Sequence, residues 1–194
     1  MTSETYSTIA QSLWPISSRP LLRLAVLAVS GTLVLTASAK IQIPFYPVPQ
    51  TLQTMVVLLI GMVFGTKLGA MTIMLYYVEG AMGIPVFAGT PEKGIGLAYM
   101  LGPTGGYLAG FLLAAMACGE LARRGWDRQL WLAGMAMVIG NILIYVCGLL
   151  WLGSVVGWDK PVLEWGLYPF VFGDLVKIVF IAVTLPLLSK AMRR

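Results

Sequence analysis

Asp174 and Lys177 stand three residues apart inside the apolar run YPFVFGDLVKIVFIAVTLPLLS, residues 168–189. That spacing puts both side chains on nearly one helix face, so the opposite charges can share one environment. Facing lipid at mid-bilayer, either group would cost about 2.5–3.5 kcal/mol. The pair must therefore face protein, water or a ligand, either as a salt bridge that pins the helix or as part of a polar binding site. The other groups suited to binding are the acceptor Glu79, the cation Lys93, the amides Gln53 and Asn141, and the aromatic residues Tyr76, Tyr77, Phe87 and Tyr107. Apolar walls with a few convergent polar groups are what a small-molecule pocket needs. Plainer uses compete: Asn141 as hydrogen-bonding glue between helices, and Tyr76 and Tyr77 as anchors at a membrane interface.

Catalysis finds little support in these residues. The chain has no histidine, which removes the commonest general base and metal ligand. It has no GxxxxGK[ST] phosphate loop, no HExxH or paired-cysteine metal motif and no GxSxG nucleophile turn. Cys118 and Cys147 both lie inside apolar runs, where small buried thiols are expected rather than a disulfide framework.

The elements that position these groups must be membrane-embedded. Of 194 residues 58% are hydrophobic and only 11% charged, against about 25% charged in a soluble domain. Long apolar runs and 22 glycines argue for closely packed helices, whereas a barrel would need repeated alternating segments. The fold class is an all-α membrane protein, a compact bundle of six transmembrane helices in one domain spanning 21–194, preceded by a polar tail, 1–20. The tail has no apolar stretch before a small-residue cleavage site, so no removable signal peptide is expected, and Leu13, Trp14 and Ile16 are placed along the membrane surface.

The predicted helices are 21–39, a segment opened by Gln50, Thr51 and Gln53 and running to 64, then 68–79, 104–123, 130–153 and 168–189. The second and third are short for a full span, with the turn at Gly65 and Lys67. Before them, three prolines in residues 44–49 force an extended, stiff segment. Residues 80–103 are dense in Gly and Pro yet rich in apolar side chains, so this connection is expected to fold onto the helices as a lid. Pro186 is expected to bend the last helix.

Charge placement tests the layout. With a cytoplasmic N-terminus, the inner side holds Arg19, Arg23, Lys67, Arg123, Arg124, Arg128, Lys190, Arg193 and Arg194, and the outer side only Lys40, Lys93 and Lys160. That bias fits the positive-inside rule and accounts for the net charge of +5 without a nucleic-acid partner. In this orientation Glu79, the proline-rich segment, the long loop and the Asp174–Lys177 end of the last helix all lie outside, where they can converge on one loop-covered pocket.

Four segments, PVPQTLQT (47–54), GIPVFAG (83–89), LGPTGGYLAGF (101–111) and GDLVK (173–177), occur in that order over about two-thirds of the chain. Together they resemble the BioY family, the biotin-specific membrane subunits (S components) of energy-coupling-factor (ECF) transporters. The resemblance implies six transmembrane helices, a multi-pass protein of the bacterial cell membrane with both termini cytoplasmic, and a high-affinity biotin pocket near the outer face. It implies no cofactor: biotin is the transported ligand, and ATP is used by partners, a transmembrane coupling protein and a pair of cytoplasmic ATPases. On this reading Asp174 accepts a ureido N–H, Asn141 or Gln53 completes the ring's hydrogen bonds, Lys177 orients Asp174 or touches the ligand, and Lys93 meets the carboxylate. Glu79, Tyr76, Phe87 and Tyr107 complete the candidate pocket. Ala25, Ala28 and Thr32 form an approximate small-residue strip for docking the coupling protein. The alternative is an autonomous secondary transporter in which Asp174 or Glu79 carries a coupling proton.

Overall fold

A computed structural model of the chain describes residues 7–14 and 20–192, without the side chains of Leu13 and Met192. Ile16, Arg19, Arg193 and Arg194, invoked above, lie outside the described residues. Because hydrocarbon offers backbone groups no partner, an apolar run satisfies its peptide bonds internally as helix. The elements are α1 (Ile9–Leu13), α2 (Pro20–Lys40), strands β1 (Gln42–Ile43) and β2 (Gln50–Thr51), α3 (Gln53–Ala81), α4 (Gly96–Met100), α5 (Gly105–Arg123), a 3-10 turn (Trp126–Arg128), α6 (Leu130–Val156), α7 (Val162–Gly166) and α8 (Tyr168–Met192). Five helical stretches are long and apolar enough to cross a membrane: α2, α3, α5, α6 and the continuous 162–191 stretch that holds α7 and α8.

The second and third segments expected from sequence are two arms of α3. Gly65 sits between them at φ 77° and ψ 176°, a conformation essentially restricted to glycine. The chain doubles back there: Gln53 near the start of α3 hydrogen-bonds Tyr76 near its end at 2.8 Å. In a straight helix those positions would be about 34 Å apart. The arms, 53–64 and 66–81, are about 18 and 24 Å long, both shorter than a hydrocarbon core of about 30 Å.

α5 packs between α3 and α6, α8 packs mainly on α6, and α2 leans mainly on α3. A Cβ at Gly61 would lie 2.5 Å from the Ala115 carbonyl oxygen, so α3 and α5 touch through backbone, the close approach that drives helix association in lipid. The core runs through Val57, Met62, Ile73, Cys118, Met137, Ile144 and Leu185. Cys118 is buried and unpaired and Cys147 is half-buried and unpaired.

Three connections fold more tightly than the sequence shows. The proline-rich segment closes as a small hairpin, Gln42 opposite Thr51 and Ile43 opposite Gln50. The connection after α3 buries Val86, Phe87 and Ala88 and includes the short α4, and Lys40 ties it down by donating to the Phe87 and Thr90 carbonyls at 3.0 and 3.2 Å. In the N-terminal tail, α1 packs on the bundle with Ile9 and Ala10 buried, held by the Arg23 guanidinium on the Trp14 and Ala10 carbonyls at 2.6 and 3.0 Å. Trp14, one of the residues expected along the membrane surface, is partly exposed, and the side chains of Leu13 and Ile16 lie outside the described residues.

Candidate functional site

The starts of α3, α5 and α8 and the end of α6 meet at one end of the bundle, together with the β1–β2 hairpin and the loop bearing α4. Between them lies a cavity. The hairpin contributes Val48, Pro49, Gln50 and Thr51; α3 contributes Gln53 and Thr54; the loop, Ala88, Tyr99 and Thr104. α5 adds Tyr107, Leu108 and Phe111, α6 Ile144 and Tyr145, and α8 Phe170, Asp174 and Lys177. About 50 Å³ of the cavity is free to the centre of a water molecule, so it is a narrow slot.

At the wall formed by α8, Lys177 Nζ donates to Asp174 Oδ1 at 2.7 Å, to the Thr51 carbonyl at 2.8 Å and to Thr54 Oγ1 at 3.1 Å. The three ammonium protons are thereby all used, and Lys177 orients Asp174 rather than offering a free charge. Thr54 passes its own hydroxyl proton to Asp174 Oδ1 at 3.2 Å, and the Tyr145 hydroxyl donates to Oδ2. A carboxylate has about four acceptor positions; three are filled, and one on Oδ2 remains. Burial of both side chains, 12% and 6% exposed for Lys177 and Asp174, makes this position a strong acceptor for a ligand N–H.

Around the cluster the walls are aromatic. Tyr107 meets Tyr145 edge-on at 6.3 Å and donates to the Gly166 carbonyl at 2.8 Å. Phe170 meets Phe45 edge-on at 6.1 Å. Burial pushes the Tyr99 phenol above its ordinary range, so it lines the cavity as a neutral group. Gly173 makes room beside Asp174: a Cβ there would lie 2.0 Å from Gln50 Nε2, so glycine lets the Gln50 amide rest on α8.

Of the residues singled out from sequence, Asp174, Lys177, Gln53 and Tyr107 line the cavity. Tyr76 and Phe87 support it from behind. Tyr76 is fully buried and joins the Gln53 amide to the Val86 carbonyl at 2.8 and 3.0 Å, so it is no interface anchor. Phe87 stacks on Tyr99 at 4.9 Å. Three candidates lie elsewhere. Asn141 is buried one turn from Tyr145, outside the cavity wall, with Oδ1 unpartnered. Glu79 accepts from Thr32 at 2.9 Å, tying α3 to α2. Lys93 is exposed in the loop, its stem near Gly89. The docking strip is divided too: Ala25 is exposed, whereas Ala28 and Thr32 are buried, because that face of α2 packs on α3. Sequence reasoning missed Tyr145, Thr54 and Lys40. Tyr145 could have been found from its spacing of four from Asn141, and Thr54 from the PVPQTLQT segment it closes.

A solved crystal structure, the S-component for biotin from an ECF-type ABC transporter, shares the fold at a TM-score of 0.70 over 90% of this chain and 94% of that one, with 24% identity. A Pyrococcus horikoshii protein named probable biotin transporter BioY is 41% identical over 73% of this chain and 81% of its own. A Thermotoga maritima protein named biotin transporter BioY is 40% identical over 78% of this chain and 87% of its own. The sequence profile of the BioY family matches residues 8–194, and with relatives of this similarity over most of its length the chain belongs to the BioY family.

Proposed function

We propose that this chain captures biotin in the slot between α3, α6 and α8 and serves as the substrate-binding membrane subunit of an ECF-type transporter. The observation that carries the reading is the buried Asp174 carboxylate, held by Lys177, Thr54 and Tyr145 with one acceptor position left toward an aromatic slot. Biotin's ureido ring offers two N–H donors and a carbonyl. One N–H goes to Asp174 Oδ2, the Gln53 or Gln50 amide serves the carbonyl, and the thiophane ring lies against Phe111, Tyr107 and Phe170. The valerate leads toward the loop, where Lys93 meets its carboxylate as the loop settles over the ligand.

The chain then crosses the bacterial cell membrane six times, the two arms of α3 counting separately, with the slot outward and both termini cytoplasmic. A coupling protein and ATPase subunits would supply the energy, and the chain itself would perform no catalysis. A proton-coupled carrier would route its proton through Asp174 or Glu79, of which Asp174 is paired with Lys177 and Glu79 accepts from Thr32. Uptake assays separate the two mechanisms. Capture with ATP-driven partners gives uptake that stops on ATP depletion, whereas uptake that stops on collapse of the proton gradient and survives ATP depletion contradicts it. Lys93→Ala should weaken biotin more than biotin amide, and equal losses would remove Lys93 from the carboxylate's site.

A further inference from the structure

At the opposite end of the bundle, beside the Gly65 turn, lies a second cavity of about 660 Å³ between α1, α2, the turn of α3 and the end of α5. Three cations line it: Arg23, Lys67 and Arg123. Arg23 is 6% exposed and, among the described residues, its guanidinium meets only backbone carbonyls. Among the described residues no carboxylate pairs with Arg23 or Lys67, and Arg123 shares Glu120 with Arg124. A buried charge without a counter-charge is costly, so such a cavity favours an anion. Two hydroxyls in the same wall, Thr8 Oγ1 and Thr66 Oγ1, are buried without a hydrogen-bond partner, and the Thr8 side chain belongs to a residue only 3% exposed. Threonine hydroxyls and guanidinium groups are donors suited to phosphate oxygens.

Ser7 and Gln11 continue the polar side, and Leu24, Phe64, Leu68 and Met71 form an apolar edge, with half of Met71's surface exposed. Phosphate donors on one side and an apolar edge on the other match a headgroup with its acyl chains. Basic pockets between transmembrane helices hold anionic headgroups in this way. We infer that this cavity binds the phosphate headgroup of an anionic phospholipid, which bridges α1, α2 and the Gly65 turn. The inference is independent of what occupies the slot at the other end.

The test uses the full chain in zwitterionic detergent, titrated with phosphatidylglycerol, phosphatidylcholine or inorganic phosphate, with thermal unfolding and native mass spectrometry as readouts. The comparison is with Lys67→Gln/Arg123→Gln, which leaves Arg23 and its hold on α1 in place. Phosphatidylglycerol should raise the melting temperature of the wild type and remain bound as a one-to-one adduct, phosphatidylcholine should do neither, and the double variant should bind about thirtyfold more weakly, as expected for two lost basic contacts. Equal responses to the two lipids, or an unchanged response in the double variant, would overturn the inference. Protection by inorganic phosphate equal to that by phosphatidylglycerol would overturn the lipid assignment in favour of a free phosphate ligand. Biotin binding serves as the folding control for the double variant.

Discussion

Replacing Lys177 by Met removes one half of a buried pair, and the structure sets the size of the effect. With N–O separation of 2.7 Å, the gross attraction is about 6 kcal/mol at an effective dielectric constant near 20. Desolvation of several kcal/mol per ion consumes much of this, so the intact pair contributes little net stability. Half a pair is different. Lys177→Met strands the Asp174 carboxylate and frees the Thr51 carbonyl, a change expected to cost about 3–5 kcal/mol. Asp174→Asn/Lys177→Met removes both charges, and most of that loss should return. Biotin affinity should not return: with the charged acceptor gone, about 1.5–3 kcal/mol of a charge-assisted hydrogen bond is lost, roughly ten- to hundredfold in Kd. Thermal or denaturant unfolding in detergent measures the first quantity and isothermal titration the second. A double variant no more stable than Lys177→Met, or one whose biotin affinity recovers along with its stability, would refute the reasoning.

Other substitutions test individual contacts. Tyr145→Phe deletes the donor to Asp174 Oδ2 and should weaken biotin by about tenfold with a stability change near 1 kcal/mol, read by the same titration. Gly173→Ala should push the Gln50 amide off α8, lowering affinity while the unfolding midpoint moves little, since the obstructing atom ends a flexible side chain. Lys40→Met releases the loop at Phe87 and Thr90. Biotin dissociation followed by stopped flow should accelerate more than association changes.

How much was legible in the sequence follows from the range of each signal. The apolar runs, the short second and third segments and the turn at Gly65 are local, because span length and glycine conformation are fixed within a few residues. The Asp174–Lys177 pair was legible for the same reason, being one turn of one helix. Tyr145 and Thr54 were harder to see, because their roles come from α6 and α3 meeting α8; the only local signals were the spacing of Tyr145 from Asn141 and the place of Thr54 at the end of PVPQTLQT. Asn141 and Glu79 lie outside the cavity wall. Polar groups in apolar runs must face protein, but the rule does not say which protein surface, and Glu79 turns to Thr32 rather than the cavity. Small residues on α2 suit either packing within the bundle or a partner's surface, and of these Ala28 and Thr32 are buried while Ala25 is exposed. The tail was read from its polarity, which could not reveal that Arg23 reaches back to hold α1.

The most direct measurement is equilibrium binding of labelled biotin to the purified chain alone in detergent, beside Asp174→Asn. Tight one-to-one binding by the wild type, competed by unlabelled biotin and weakened at least tenfold in the variant, is the expected result. Absence of binding by a folded wild-type chain, or equal affinity in the variant, would contradict biotin capture at Asp174.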